Sequence, residues 1–149
     1  HLHHALMRAD PARTRSSAYR WALTLPTRFG DMDANGHLNN VAIARLFEEA
    51  RVQFNWQSAA LFAGQRPRLL AAHVAIDYLA EGRYPGDVVV HLAVGQIGTS
   101  SFRMAKAAFQ DGRAIALCDS VLAHRSESGG PEPLPQALRT RLEAYRLNA

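Results

Sequence analysis

Apolar and polar residues alternate along the segment that begins near Tyr19. Trp21, Leu23 and Leu25 follow at every second position, so their side chains share one face of an extended chain. Strict alternation of this kind is typical of a β-strand with one buried face. We therefore predict a strand over residues 18–28, and the polar run FGDMDANGHLNN follows it directly.

The next segment, residues 40–63, changes to helical periodicity. Apolar residues recur there at intervals of four, seven and eleven, the spacing of one helix face, at Ile43, Phe47, Ala50 and Phe54. Further apolar residues widen this surface, so we expect burial on more than one side; they are Leu46, Val52, Trp56, Leu61 and Phe62. Asn39 or Asn40 is suited to cap the N-terminus, and Gly64 is the first residue that would end the helix.

Most of the remaining chain consists of apolar segments separated by short turn sequences. We predict strands over residues 68–80, 87–98, 101–110 and 113–125. The pair Asp111-Gly112 between the last two is among the strongest short signals for a β-hairpin. Short turns favour an antiparallel meander, because parallel strands need long crossover connections. Residues 126–135 have the composition of a loop, and residues 136–147 have the spacing of a short helix.

This order of elements predicts one α+β domain, in which a five-stranded antiparallel sheet wraps around one long central helix. The apolar face of the sheet must be covered, and only the long helix is large enough to cover it. We place the domain at residues 18–149 and expect residues 1–17 to form a flexible leader. An edge strand and a partly uncovered helix also favour pairing with a second copy of the chain.

Composition narrows the possible classes of function. Of the 149 residues, 48% are hydrophobic, which is enough for the core of one domain. We expect no membrane span and no secretory signal, because no run of about 18 apolar residues occurs and the first residues lack a continuous apolar stretch. The net charge of +4 comes mainly from scattered arginines, not from the basic stripe with aromatics that is typical of nucleic-acid binding. The lone cysteine, Cys118, is expected to be buried and reduced, which fits a cytoplasmic location.

The polar run and the helix after it carry a motif of defined spacing. The motif is an aromatic residue, two acids separated by one residue, Gly-His-hydrophobic-Asn-Asn and Glu-Glu-Ala-Arg, found here as Phe29, Asp31, Asp33, 36–40 and 48–51. This segment resembles the signature of the hotdog-fold acyl-CoA thioesterases of the 4-hydroxybenzoyl-CoA thioesterase group. The likeness covers about residues 19–142, and the family has the element order predicted above from periodicity.

The resemblance implies a hotdog fold and hydrolysis of a thioester to a carboxylic acid and free coenzyme A. Asp33 matches the family's catalytic aspartate, a nucleophile or general base, and the backbone N–H of Asn40 matches the donor that polarises the thioester carbonyl. The implied substrate-binding residues are Gly36, His37, Asn39 and Ser101. The implied substrate is an acyl-CoA or acyl-carrier thioester, with no metal and no cofactor apart from the coenzyme A of the substrate. The implied assembly is a homodimer or a homotetramer.

Several of these residues also have a purely structural interpretation. Asp and Asn favour turns and helix caps, and Asp31 is better suited to a structural ion pair with an arginine such as Arg51. Basic residues that could form a rim for the phosphates of coenzyme A are Arg83, Arg103, Lys106 and Arg125. The aromatic residues that either bound an acyl groove along the helix or belong to the core are Phe47, Phe54 and Trp56.

Two other functions stay open at the level of sequence. An enoyl-CoA hydratase or acyl-carrier dehydratase of the same fold commonly carries Gly-Asp-x-Asn-Pro-hydrophobic-His, whereas this chain has GDMDANGH, which lacks the proline and spaces His37 differently. A non-catalytic hotdog module would bind acyl-CoA and would not need Asp33. Release of free thiol from a panel of acyl-CoAs separates both from a thioesterase.

Overall fold

The structure, a computed structural model, describes residues 10–57 and 67–148. Its strands are β1 (Trp21–Pro26), β2 (Leu69–Tyr78), β3 (Asp87–Ile97), β4 (Ser101–Gln110) and β5 (Arg113–His124). Its helices are α1 (Asn40–Trp56) and α2 (Gln136–Ala144), and short 3₁₀ turns lie at Pro11–Thr14, Ser16–Ala18 and Phe29–Asp31. None of the helices in these two ranges has the length and apolar character needed to cross a membrane.

The strands form one antiparallel sheet in the order β1-β3-β4-β5-β2. Residues Asp111 and Gly112 connect β4 to β5 and have φ angles of 53° and 77°, as a tight hairpin turn requires. The predicted five-stranded antiparallel sheet around one long helix is confirmed, and this arrangement is the hotdog fold. Strands β1 and β2 are the two edges of the sheet, so β2 leaves one side of its backbone unpaired among the described residues.

Helix α1 packs on the inner, concave face of the sheet through the apolar stripe that its periodicity predicts. Ile43, Phe47 and Ala50 are buried against inner-face residues of β3, β4 and β5. Phe54 continues the stripe into a second cluster that α2 closes with Leu138 and Leu142. The buried surface of α1 is narrower than expected, because Trp56 is mostly exposed. The predicted continuation of the helix over 58–63 lies outside the described residues.

The segment before β1 packs on the outer, convex face of the sheet. Ala12, Ala18 and Tyr19 are buried there; the sheet residues that they cover include Ala93, Ala105, Ala107, Phe109 and Leu117. The described residues 10–17 of the expected leader thus pack on the sheet. The segment follows the sheet surface in two short 3₁₀ turns, so its small apolar residues show neither helical nor strand periodicity in the sequence.

Arg13 fixes this segment to the sheet from a fully buried position. Its guanidinium donates hydrogen bonds to Asp119 Oδ1 at 2.6 Å, to the Tyr19 hydroxyl at 2.8 Å and to the Lys106 carbonyl oxygen at 3.0 Å. Both members of the Arg13–Asp119 ion pair are shielded from solvent. A buried charge is tolerated only with good pairing, so neither residue can be removed alone without a large cost.

We predict that Arg13→Met lowers the free energy of unfolding by about 3–5 kcal/mol, because it leaves the Asp119 carboxylate buried without its cation. Denaturation by urea measures this loss. The control is Arg15→Met, which removes an exposed arginine of the same segment. The double variant Arg13→Met/Asp119→Asn should recover part of the stability, and equal stability of the Arg13 and Arg15 variants would refute the anchoring role.

Candidate active site

Asp31 anchors the loop between β1 and α1. Its side chain is only 3% exposed and accepts hydrogen bonds from Arg28 N at 2.9 Å and Arg28 Nη2 at 3.2 Å. Arg45, which lies on α1, donates to both carboxylate oxygens at 3.2–3.3 Å. Asp31 therefore ties the loop to the helix that follows it, as a structural acid.

The arginine partner of Asp31 differs from the one expected. Arg51 pairs instead with Glu48, one turn away on α1, at 3.2 Å. Arg45 is closer to the start of the helix than Arg51, so it can reach the loop that precedes the helix. Burial by itself raises the pKa of Asp31, but hydrogen bonds from Arg28 and the charges of Arg45 and Arg28 outweigh burial and bring the pKa below its ordinary value.

Asp33 lies at the start of a tight polar turn. Its Oδ1 accepts hydrogen bonds from the backbone N–H groups of Asn35 at 2.9 Å and His37 at 3.1 Å, while its backbone pairs with His37. Gly36 has a φ of 80°, a conformation that disfavours any residue with a side chain. One carboxylate oxygen is thus fixed by the turn, whereas Oδ2 has no hydrogen-bond partner within the described ranges.

The N-terminus of α1 follows this turn directly. Asn39 is the cap: its Oδ1 accepts from Ala42 N at 2.7 Å, and its own N–H donates to the carbonyl oxygen of Asp31 at 2.8 Å. The N–H of Asn40, the first residue of the helix, has no acceptor among the residues described. Such first-turn N–H groups carry positive partial charge and are suited to bind an oxygen that gains negative charge.

His37 holds the far side of the turn. Its Nε2 lies 2.9 Å from Glu81 Oε2, and its backbone forms an isolated bridge with Arg83. The imidazole therefore contacts Glu81, whereas the bonds between His37 and Asp33 are made by the backbone N–H and carbonyl oxygen of His37. Glu81 was not identified from the sequence, because it stands in an ordinary polar turn after β2 and becomes a partner only through the bridge.

A cleft of about 390 Å³ brings several of these groups together. The loop and the helix contribute Asp33, Asn35, His37 and Asn40, and the end of β2 and the turn after it contribute Tyr78, Leu79, Ala80 and Glu81. The hydroxyl of Tyr78 donates to the carbonyl oxygen of Asn40 at 3.1 Å, which connects the two walls. Gly36 and Asn39 shape this cleft through the backbone and are not among the residues that line it.

Two groups of sequence predictions lie away from the cleft. Ser101 begins β4 and pairs with Ala123, whereas Gln110 at the other end of β4 bonds to Arg83 beside the cleft. The strand between them spans about 30 Å at 3.3 Å per residue, so one protomer does not bring Ser101 to Asp33. Lys106 is buried, so it does not belong to an exposed basic rim.

Comparison with known proteins identifies a family. Residues 27–142 match the family model of the thioesterase-like superfamily. The fold is similar to a predicted thioesterase from Bacillus stearothermophilus, with 25% identity, a TM-score of 0.79 and coverage of 87% of this chain and 98% of that one. It is also similar to a protein from Pseudomonas aeruginosa, with 28% identity, a TM-score of 0.81 and coverage of 91% and 99%. No curated protein gives a significant match.

A third similar structure contains a ligand. It is a thioesterase from Thermus thermophilus complexed with coenzyme A and Zn, with 29% identity, a TM-score of 0.73 and coverage of 85% of this chain and 94% of that one. In the described part of the present chain, no group of three or more His, Cys, Asp and Glu side chains is placed to hold a metal ion.

We predict that Asp31→Asn lowers the free energy of unfolding by about 1–3 kcal/mol near neutral pH, through loss of charge-assisted hydrogen bonds. The folded pKa of Asp31 is below its unfolded value, so its contribution is present above the unfolded pKa and is lost as pH falls through the folded pKa. Urea denaturation over a pH series should therefore show the gap between wild type and variant closing in acid.

The matched control for this measurement is Asp33→Asn in the same loop. Asp33 is exposed and Asn keeps an acceptor oxygen for the turn, so its effect on stability should stay within about 0.5 kcal/mol. An Asp31 variant as stable as wild type at every pH would show that this carboxylate does not anchor the loop.

Proposed function

The chain belongs to the thioesterase-like superfamily and is a thioester hydrolase, and from this premise we propose that it hydrolyses acyl-CoA or acyl-carrier thioesters with Asp33 as the catalytic carboxylate. One observation carries the proposal. Within a single cleft, the unbonded Oδ2 of Asp33 and the N–H of Asn40 at the start of α1 stand on the same wall. A carboxylate and a backbone donor are the two groups that thioester hydrolysis needs.

The donor acts on the thioester carbonyl. As the carbonyl carbon becomes tetrahedral, its oxygen gains negative charge, and the N–H of Asn40 together with the positive end of the helix dipole stabilises that charge. The Asn39 cap and the hydrogen bond from Tyr78 to the Asn40 carbonyl keep this end of the helix in place. The donor is thus oriented before the substrate arrives.

The carboxylate of Asp33 can act by two routes. As a nucleophile, its Oδ2 attacks the carbonyl carbon, the thiolate of coenzyme A leaves, and water hydrolyses the resulting mixed anhydride. As a general base, it takes a proton from water, the hydroxide attacks the carbon, and the proton passes to the departing thiolate. Both routes use the oxygen that the turn leaves unbonded, and neither changes the overall products.

We assign the remaining predicted residues to positioning. Gly36 permits the turn, His37 fixes it through its backbone N–H and its contact with Glu81, and Asn39 sets the helix cap. A substrate-binding role for Ser101 requires a second copy of the chain, because Ser101 lies at the opposite end of the sheet from Asp33 within one protomer.

We propose that the active form is a homodimer formed through β2 and α1. The edge strand β2 exposes Leu70 and Val74, each 54% accessible, and α1 exposes Val41 and Trp56. Exposed apolar side chains together with an unpaired strand edge favour association with a second copy. The cleft lies at the same edge, since Tyr78 and Asn40 line it.

The proposed location is the cytoplasm. Cys118 is buried, and burial raises the pKa of its thiol, so the side chain behaves as a small apolar residue. A chain with one free cysteine has no internal disulfide to form, which suits a reducing compartment.

Asp33→Asn should lower kcat by roughly 10²-fold or more while KM changes little, because the amide preserves the turn but can neither attack nor accept a proton. Release of free thiol from acyl-CoAs of short, long and aromatic acyl groups measures this. The control is Glu81→Gln, which removes a second carboxylate of the same cleft and should have a much smaller effect. Near-normal turnover of the Asp33 variant, or equal losses in both variants, would remove Asp33 from the catalytic role.

Val74→Lys should convert the dimer to monomers, because it places a charge in the exposed apolar surface of β2. Light scattering after size-exclusion chromatography measures the mass. Ala22→Lys, at an exposed position of the opposite edge strand β1, should leave the mass unchanged. A wild-type protein that is monomeric at micromolar concentration, or a Val74 variant with unchanged mass, would contradict the proposed interface.

A further inference from the structure

A lysine side chain lies in the interior of the fold, beneath the central helix. Lys106 is on β4, the middle strand, and its side chain points to the inner face together with Met104 and Ala108. It is only 2% exposed, and its Nζ donates a hydrogen bond to Ser120 Oγ at 2.8 Å. An ammonium group has three N–H donors, so a single hydroxyl leaves two of them without a partner among the residues described.

The acids nearest to Lys106 are already engaged elsewhere. Asp119 faces the outer side of the sheet, where Arg13 holds it, and Glu48 is largely exposed and pairs with Arg51. No acid of the described ranges forms an ion pair with Lys106. Burial is the main cause that lowers the pKa of its amine; Cys118 and Asp119 raise this pKa, whereas the charges of Arg51 and Arg13 lower it. A buried cation of this kind is expensive unless an anion reaches it.

Lys106 borders a small cavity between α1 and β2. The cavity has a volume of about 120 Å³, and most of its lining is apolar, including Phe47, Val74 and Ile76. Cavities of this order of size hold a ligand group of about six heavy atoms. Lys106 is the most deeply buried charged residue of this lining, which also includes Arg51 and the largely exposed Glu48.

This cavity comes after the cleft of Asp33 along the seam between α1 and β2. The cleft is bordered by Asn40 and Ile43 on the helix and by Tyr78 at the end of β2. The cavity is bordered by the residues that come next on both elements, 44–51 of α1 and 71–76 of β2. With a helical rise of 1.5 Å per residue, the helix residues that line the Lys106 cavity begin about 6 Å from Asn40 and extend to about 16 Å along the helix axis.

We propose that the Lys106 cavity receives the far end of the acyl group and that this end is a carboxylate, so that the preferred substrates are medium-length ω-carboxyacyl thioesters. The inference rests on the proposed function, because it places the thioester carbonyl at Asn40. A carboxylate at the end of the acyl chain accepts the remaining N–H donors of Lys106 and neutralises its charge. The apolar side chains of Phe47, Val74 and Ile76 enclose the methylene groups between the two ends.

The test compares matched pairs of substrates: glutaryl-, adipoyl- and pimeloyl-CoA against pentanoyl-, hexanoyl- and heptanoyl-CoA. For at least one pair, wild-type kcat/KM should favour the acid-ended thioester by roughly 10- to 100-fold, the range of a charge-assisted hydrogen bond. Lys106→Met fills the same volume without the charge and should lose this preference. Arg103→Met removes a positive charge from the outer side of the same strand and should keep it.

Thermal melting verifies that both variants are folded, and replacement of a buried charge by an apolar residue of similar volume is commonly tolerated. A second readout is independent of turnover: the affinities of matched acyl-CoAs for Asp33→Asn, measured by calorimetry with Lys106 present and with Lys106→Met added. Tighter binding of the acid-ended ligand that disappears with Lys106 supports the inference.

The outcomes separate this inference from the proposed function. Hydrolysis of all alkyl thioesters with no preference for the acid-ended partner would overturn the inference and leave the proposed function intact. Loss of the preference in Arg103→Met to the same extent would overturn it too, because general charge would then be the cause. Absence of thiol release from every substrate would overturn the proposed function, and the calorimetric comparison would then decide whether Lys106 binds the carboxylate.

Discussion

The carboxylate of Asp31 joins two parts of the chain that the active site needs at a fixed distance. It accepts hydrogen bonds from Arg28 at the start of the loop and from Arg45 one turn into α1. The backbone carbonyl oxygen of Asp31 also accepts a hydrogen bond from the N–H of Asn39, the cap residue. The turn of Asp33 and the N-terminus of α1 are therefore parts of one rigid unit. The proposed chemistry depends on this unit, because a catalytic carboxylate is effective only at a defined distance from the group that polarises the carbonyl.

Much of the fold could be predicted from the sequence, because hydrophobic periodicity and turn residues indicate the same boundaries for most elements. The apolar segments between short turn sequences and the hairpin signal of Asp111-Gly112 place β3 and β4 within one residue of their observed bounds. The stripe on α1 predicts the residues that face the sheet. Asp33 stands out through the spacing of its motif, but its hydrogen bonds to the turn and the acid-base state of its neighbours depend on tertiary structure.

The features that sequence reasoning missed are those in which a charged residue is buried or changes partner. Arg13 was assigned to a flexible leader and Lys106 to an exposed rim, because charged side chains are normally solvated. The sequence does not show whether Arg45 or Arg51 pairs with Asp31. Arg45 is the partner because the loop lies over the first turn of α1. Glu81 reaches His37 through a bridge that no local pattern predicts.

The central claim is that the thioester carbonyl binds between Asp33 and the N–H of Asn40. A crystal structure with an acyl-CoA analogue in which a methylene group replaces the sulfur tests it directly, since the ketone keeps the carbonyl but cannot be hydrolysed. We expect a carbonyl oxygen about 2.7–3.2 Å from Asn40 N, with Asp33 Oδ2 facing the carbonyl carbon. A carbonyl bound elsewhere, with Asp33 turned toward solvent, would contradict it.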